Sequence, residues 1–555
     1  MKSYCLRTLV AALGAATLAA GAAPASAFDW QVVVNNNDAI PDVVPERSFN
    51  SYNQPSVNLN GLVVMRARSR GGPPLGPATH GIYTRDMSVD GSPIVRILDR
   101  GSLVPKPNNQ ETLFVETPSF PRIDMDSNVI ATRGNHQPVW KEGDDEASGT
   151  TGIYTNPFGP LITGASKLGA VSEFWFFEVP EAPGTPFDVF PGAPAVTDGA
   201  TIVFKGNYTD EEGVGKTGVY YRDLTDEPIR LDDGAVLQPA GGTNPVVLIA
   251  NNTETCIPNT ETVFGSTAPP SAADGLVVFA GFDDEEAPTL GGIYLADLDD
   301  YPAVAVLENR ADCAETTDLL TPLVEIGDPV PGENPIARFN RLGEGVAFDG
   351  RYVAFWGAWG PATRTIRLHC PTEGNQDRIA FCLLQCPEPA GCSTKLPVRQ
   401  GVFVHDIKTG DTAAVAKAPN DFGDFIFWNF SGQVPGIGEG GEGAEDDGEP
   451  ARWRFSAFVA VSGTNTAFKA TTGNRVGVYL SRQPGQKAVT VVDSDTDGQV
   501  LDPKAAPIGS TLVEVGLERE GLRGDWLAIS AKMAIKGGTE EDGMAGVYIT
   551  RLPSL

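Results

Sequence analysis

Short apolar runs of five to eight residues recur along the whole chain, each bounded by Gly, Asp-Gly or Asn-Gly steps, as in "AADGLVVFAG" and "VTDGATIVFKG". Runs of this length, rich in Val, Ile and Phe, predict strands buried on both faces, and the steps before them suit tight turns with positive φ. A Gly-aliphatic-aromatic triplet follows each run. It occurs at Gly81-Ile82-Tyr83, Gly152-Ile153-Tyr154, Gly218-Val219-Tyr220, Gly292-Ile293-Tyr294, Gly401-Val402-Phe403, Gly477-Val478-Tyr479 and Gly546-Val547-Tyr548. The intervals are 71, 66, 74, 109, 76 and 69 residues. Another strand follows each triplet, such as "PIVRILDRG", and then Gly/Pro punctuation such as "GDPVPG" at 327–332.

Each unit thus reads as an antiparallel meander with almost no helix signal. Such a unit buries its faces only against neighbours, and seven units of four strands make a β-propeller. The last repeat stops one strand short, while "DWQVVVNNND" near the start is a spare strand. Residues 29–36 are therefore predicted to supply the outer strand of the last blade and close the ring, which removes exposed edges. The predicted class is all-β, a seven-bladed propeller of four-stranded antiparallel blades. One domain spans 28–555, with approximate blades at 50–110, 111–185, 186–262, 263–335, 336–430, 431–510, and 511–555 plus 28–49. The long interval in the fifth repeat reads as an insertion at 361–399.

The first 27 residues read as a signal peptide: Lys2 and Arg7 precede the apolar run Leu9 to Ala20, and Ala25-Ser26-Ala27 is an A-x-A cleavage site. Cys5 precedes the apolar run and is not placed as a lipoprotein cysteine. No later stretch offers the roughly 20 apolar residues of a spanning helix, so no transmembrane anchor is expected. Export to the periplasm or extracellular space is expected, and six cysteines remain: Cys256, Cys313, Cys370, Cys382, Cys386 and Cys392. An even number in an exported chain predicts three disulfides. The four between Cys370 and Cys392 should staple a local excursion, because they lack the C-x2-C spacing of a zinc site.

The pattern of Gly/Pro punctuation, an Asn/Ala-x-x-Gly-x-x-x-Phe step and a Gly-Ile-Tyr strand resembles the bacterial secreted NxxGxxxF tandem-repeat proteins. It is more distantly similar to TolB-type propeller repeats. Ala272-x-x-Gly275-x-x-x-Phe279 matches well, whereas Asn58-x-x-Gly61 ends in Met65 and Asp198-Gly199 to Phe204 slips by one residue. The resemblance implies an exported propeller and brings no activity and no catalytic residues. Such secreted proteins often carry a C-terminal sorting helix; this chain ends in "VYITRLPSL", which implies release.

After the signal is removed, 39 basic residues face 71 acidic ones. That excess argues against nucleic acid and anionic membranes as partners, and less strongly against anionic polysaccharides. G-x-S-x-G, H-E-x-x-H, phosphate-loop and dinucleotide fingerprints are absent, and there are four histidines in all. The most unusual cluster is "TRGNHQPVW", where Arg133, His136 and Trp140 suit a sugar ring, with His136 as a general base if the site is catalytic. Some β-propeller polysaccharide lyases use His, Tyr and Arg in this manner. His405, beside Asp406, reads as a structural strand-end histidine.

Acidic runs recur between the second and third strands: Asp144-Asp145-Glu146, Asp210-Glu211-Glu212, Asp283-Asp284-Glu285-Glu286 and Glu540-Glu541-Asp542. Circular symmetry places them on one face, where Asp144, Asp145, Asp210, Glu211, Asp283 and Asp284 are candidate calcium ligands. None has the alternating spacing of a calcium loop, so solvated turns are the plainer reading. The tract "GIGEGGEGAEDDGEP" at 436–450 reads as a flexible loop. Three functions are open. One is a secreted, monomeric binding or scaffold protein for a glycan, protein or surface component. Another is an extracellular polysaccharide lyase or glycoside hydrolase using His136 and Arg133. The last is a cation-binding envelope protein.

Overall fold

The computed structural model describes residues 28–72, 76–108, 112–118, 120–136, 151–180, 182–231, 234–237, 241–301, 319–372, 376–432, 434, 451–537 and 543–553. Seven antiparallel sheets of four-stranded type stand around one axis. Their innermost strands are Ser56–Val57, Arg122–Ile123, Ala195–Thr197, Ser271–Ala273, Ala347–Phe348, Val459–Ser462 and Leu522–Arg523. Each of these neighbours the next around the ring, and the seventh returns to the first. The chain is a seven-bladed β-propeller.

Closure is as the sequence predicts. Trp30–Asn35 pairs antiparallel with Met544–Arg551, making the N-terminal strand the outer strand of blade seven. Val33 and Val34 are fully buried there and join Phe49, Met65 and Tyr83 of blade one in a shared cluster.

The triplet has a physical explanation. In blades one to six the pairing of third and fourth strands shifts register between the aliphatic and the aromatic residue, as between Ile82 and Tyr83 or Val478 and Tyr479. Gly and aromatic residue lie two apart on the same face. In blade three a Cβ on Gly218 would stand 2.7 Å from the Tyr220 hydroxyl, so only glycine fits beneath the ring. The motif Phe pairs across the strands with the triplet aromatic: Phe279 with Tyr294, and Phe355 with Phe403.

A further phenylalanine meets the triplet ring edge-on in six blades. The pairs include Phe49–Tyr83 (4.9 Å), Phe114–Tyr154 (4.8 Å) and Phe339–Phe403 (4.9 Å). Phe187, Phe264 and Phe422 take the same place in blades three, four and six. Such pairs contribute about 0.5–1.5 kcal/mol beyond the area they bury.

Candidate functional site

The two ends of the ring differ. At one end the turns between first and second strands lean on each other. The Gly275 N–H donates to Thr197 Oγ1 (3.0 Å), Gly463 to Asp349 Oδ2 (2.5 Å) and Gly524 to Ser462 Oγ (2.8 Å). Asp274 holds φ at +54° and Gly275 at +72°, the left-handed pair such a turn needs. This turn face is a structural seam. The opposite end carries the loops between second and third strands, so it is the loop face.

Buried guanidinium groups knit the channel between the two ends. Arg122 of blade two donates to Glu518 of blade seven (2.9 Å). Arg519 reaches across to the Pro269 and Pro270 carbonyls of blade four (3.0 and 3.3 Å). Arg523 donates to Val461 and Phe348 carbonyls of blades six and five (3.2 and 2.9 Å). Burial, with Arg122 nearby, pushes the Arg519 guanidinium down to about 10, so it stays charged at neutral pH. Despite burial, Arg122 and Arg519 hold the Glu518 carboxyl below its usual range.

Two insertions shape the loop face. In blade five, between Tyr352–Trp359 and Gln400–Asp406, Thr363–Leu368 pairs with Cys392–Pro397 around the helix Gln376–Gln385. Disulfides Cys370–Cys382 and Cys386–Cys392 close this segment. Ahead of blade six, Ile426–Ser431 pairs with Arg452–Ala457. Cross-strand register puts Trp428 opposite Phe455 and Phe430 opposite Trp453, so the four rings share one face of the hairpin. Phe430 and Trp453 rest on the cysteine-rich segment.

A pocket of about 400 Å³ lies between this hairpin and the end of the channel. Half-buried Trp428, Trp453 and Phe455 line one side, Arg341, Arg454 and Arg519 the others. The Arg341 guanidinium stacks 4.5 Å above the Phe455 ring. Arg452 bridges to Glu286 (3.0 Å) and Glu285 on blade four, tying the hairpin across the face. The indole N–H of Trp428 is buried and has no acceptor among the described residues.

The sequence-predicted residues are distributed differently. Arg133 and His136 both lie in the strand Ile130–His136, and both are buried. Their spacing of three puts them on opposite faces of the sheet. His136 Nε2 meets Asn108 (3.1 Å), which also donates to the Tyr154 hydroxyl (2.6 Å). Arg133 donates to Thr151 Oγ1 (3.3 Å). Trp140, Asp144, Asp145 and the tracts 540–542 and 436–450 lie outside the described residues.

Among the described acids, Asp210 pairs with Lys216 (3.2 Å) and accepts from Val214 N (2.7 Å). Asp283 accepts from Thr289 and Leu290 N, and Asp284 from Glu286 and Ala287 N. Glu211 is exposed. Asp210, Glu211, Asp283 and Asp284 are not brought together. Among the described residues one group could gather three ligand atoms, Cys370, Cys382 and Cys386, and it is committed to disulfides. Cys256 is also disulfide-bonded, and Cys313 lies outside the described residues. His405 meets Thr412 Oγ1 (2.9 Å), and burial lowers its pKa.

No family model and no curated protein matches the chain. Solved structures similar to it include Trypanosoma rangeli sialidase, 10% identical over 94% of this chain and 59% of that one, with a TM-score of 0.31. The polysaccharide lyase Uly1 is 8% identical over 94% and 98% of the two chains (TM-score 0.40). The Penicillium chrysogenum alpha-L-arabinanase is 9% identical over 94% and 98% (TM-score 0.26). No helix among the described residues is long and apolar enough to cross a membrane.

Proposed function

We propose that the chain is an exported β-propeller that binds a saccharide on its loop face. The observation that carries this reading is the pocket beside the channel, where Trp428, Trp453 and Phe455 stand beside Arg341, Arg454 and Arg519. Aromatic rings offer flat apolar surfaces for the C–H faces of a sugar, and guanidinium groups donate in a fixed plane to its oxygens. Disulfides near this pocket suit an oxidising compartment outside the cytoplasm. Arg133 and His136, on opposite faces of blade two, give no common site for cleaving a glycosidic bond, so binding is favoured over catalysis.

Affinity electrophoresis through gels carrying individual polysaccharides tests the proposal. Retardation by at least one polymer is expected. Trp428→Ala should weaken it about tenfold or more, as removal of a central aromatic anchor does. Unchanged migration in every polymer, or equal retardation of the variant, would overturn the reading.

A further inference from the structure

A second cavity of about 640 Å³ opens on the loop face between blades seven and one. Its charged lining residues are Arg66, Arg68, Arg70, Lys532 and Glu514, four cations to one carboxylate. The whole chain has the reverse balance, 41 basic to 71 acidic residues. A basic groove in so acidic a protein needs a local cause.

Local structure supplies one. Arg66, Arg68 and Arg70 alternate along and just beyond Leu62–Ser69, so a period of two puts them on one side. Neutral groups hold them in place. Arg68 Nε donates to Ser51 Oγ (2.7 Å) and Arg70 Nε to Asn50 Oδ1 (2.7 Å). Arg66 Nη1 donates to Asn53 Oδ1 (3.1 Å) and its Nε to the Thr117 carbonyl; its nearest carboxylate, Glu116, is 3.9 Å away. Arg66 is thus paired with Glu116, whereas Arg68 and Arg70 are held by neutral acceptors and have no ion pair among the described residues. His80 stands across the strands from Arg68 and registers the resulting field. Burial, then Arg66, Arg100 and Arg68, lower its pKa to about 4.

We infer that this groove is an anion subsite for the carboxylate or sulfate groups of an acidic polysaccharide, with the exposed Arg68 and Arg70 as its cationic contacts. The inference rests on the glycan reading above and adds the class of glycan. Strand Ser510–Gly516 of blade seven carries Glu514 into this groove, and Arg519, five residues after Glu514, lines the first pocket.

The test is calorimetric titration of the protein lacking residues 1–27 with polygalacturonate, chondroitin sulfate and neutral dextran, at low and high salt. The anionic polymers should bind at least about tenfold tighter than dextran, with affinity that falls as salt rises. The polygalacturonate and chondroitin sulfate arms separate carboxylate from sulfate recognition. Arg68→Gln with Arg70→Gln should cost about tenfold or more for the anionic polymer and leave any neutral binding unchanged. Both side chains are exposed, so the variant should fold; Asn50→Asp, which places a neutralising carboxylate beside Arg70, gives an independent second loss. Equal affinity for neutral and anionic polymers, or variants that bind like the parent, would overturn the subsite and leave the glycan reading standing. Binding to no polymer at all would overturn both.

Discussion

Replacing Val34 by Asp should open the ring. Val34 is fully buried, pairs with Val547 and touches the cluster shared with blade one. Removing the valine gives up about 1.5 kcal/mol of apolar burial, and an unpaired buried carboxylate costs several more. The combined penalty, about 4–6 kcal/mol, rivals the whole contribution of Trp30, Val33 and Val34, about 5–8 kcal/mol at the usual value per buried side chain. The strand should therefore leave its place rather than bury the charge. Its departure exposes the edge of Met544–Arg551, a template for pairing with another chain. Elastase should then cut within residues 30–35 while the rest of the chain resists, and size-exclusion chromatography should show a concentration-dependent dimer. Gln31→Asp, at an exposed position of the same strand, is the control. Parent-like protease resistance and melting in Val34→Asp would refute this account of closure.

Two further outcomes follow from the charged groups. His80 should titrate near 4 in the free protein by histidine NMR, and upward when an anionic polymer covers Arg68. Its folded pKa lies below the unfolded value, so the unfolded chain takes up the proton first. Stability should therefore fall as pH drops from about 6.5 towards 4, less steeply in His80→Gln; an unshifted His80 would refute the field at the groove. Millimolar calcium should leave the melting temperature unchanged, because Asp210, Asp283 and Asp284 already accept from their own loops; a rise of several degrees would restore the cation reading.

The propeller was legible because its signals are local and repeated. Each Gly-aliphatic-aromatic triplet marks one blade, and seven copies count the blades. The edge-on partners such as Phe114 and Phe339 escaped notice because their distance from the triplet varies between repeats. The site was much less legible. His136 stood out by chemical rarity, yet the strand continues through it and buries it against Asn108. The alternation "RARSR" at 66–70 is the readable sign of a basic strand face, masked by an acidic average over the chain. The aromatic hairpin was hidden because Ile426–Ser431 and Arg452–Ala457 are separated by the Gly/acid tract, which reads as a loop with no partner strands. No sequence rule brings Trp428 beside Arg341 and Arg519; ring geometry does.

Hydrogen–deuterium exchange with and without bound polygalacturonate tests the central claim most directly. Protection is expected on the loop face, at residues 49–53 of the basic groove and at Arg452–Ala457 of the aromatic hairpin. Protection confined to the turn face, at residues 58–61 or 274–275, or no protection under saturating polymer, would contradict the account.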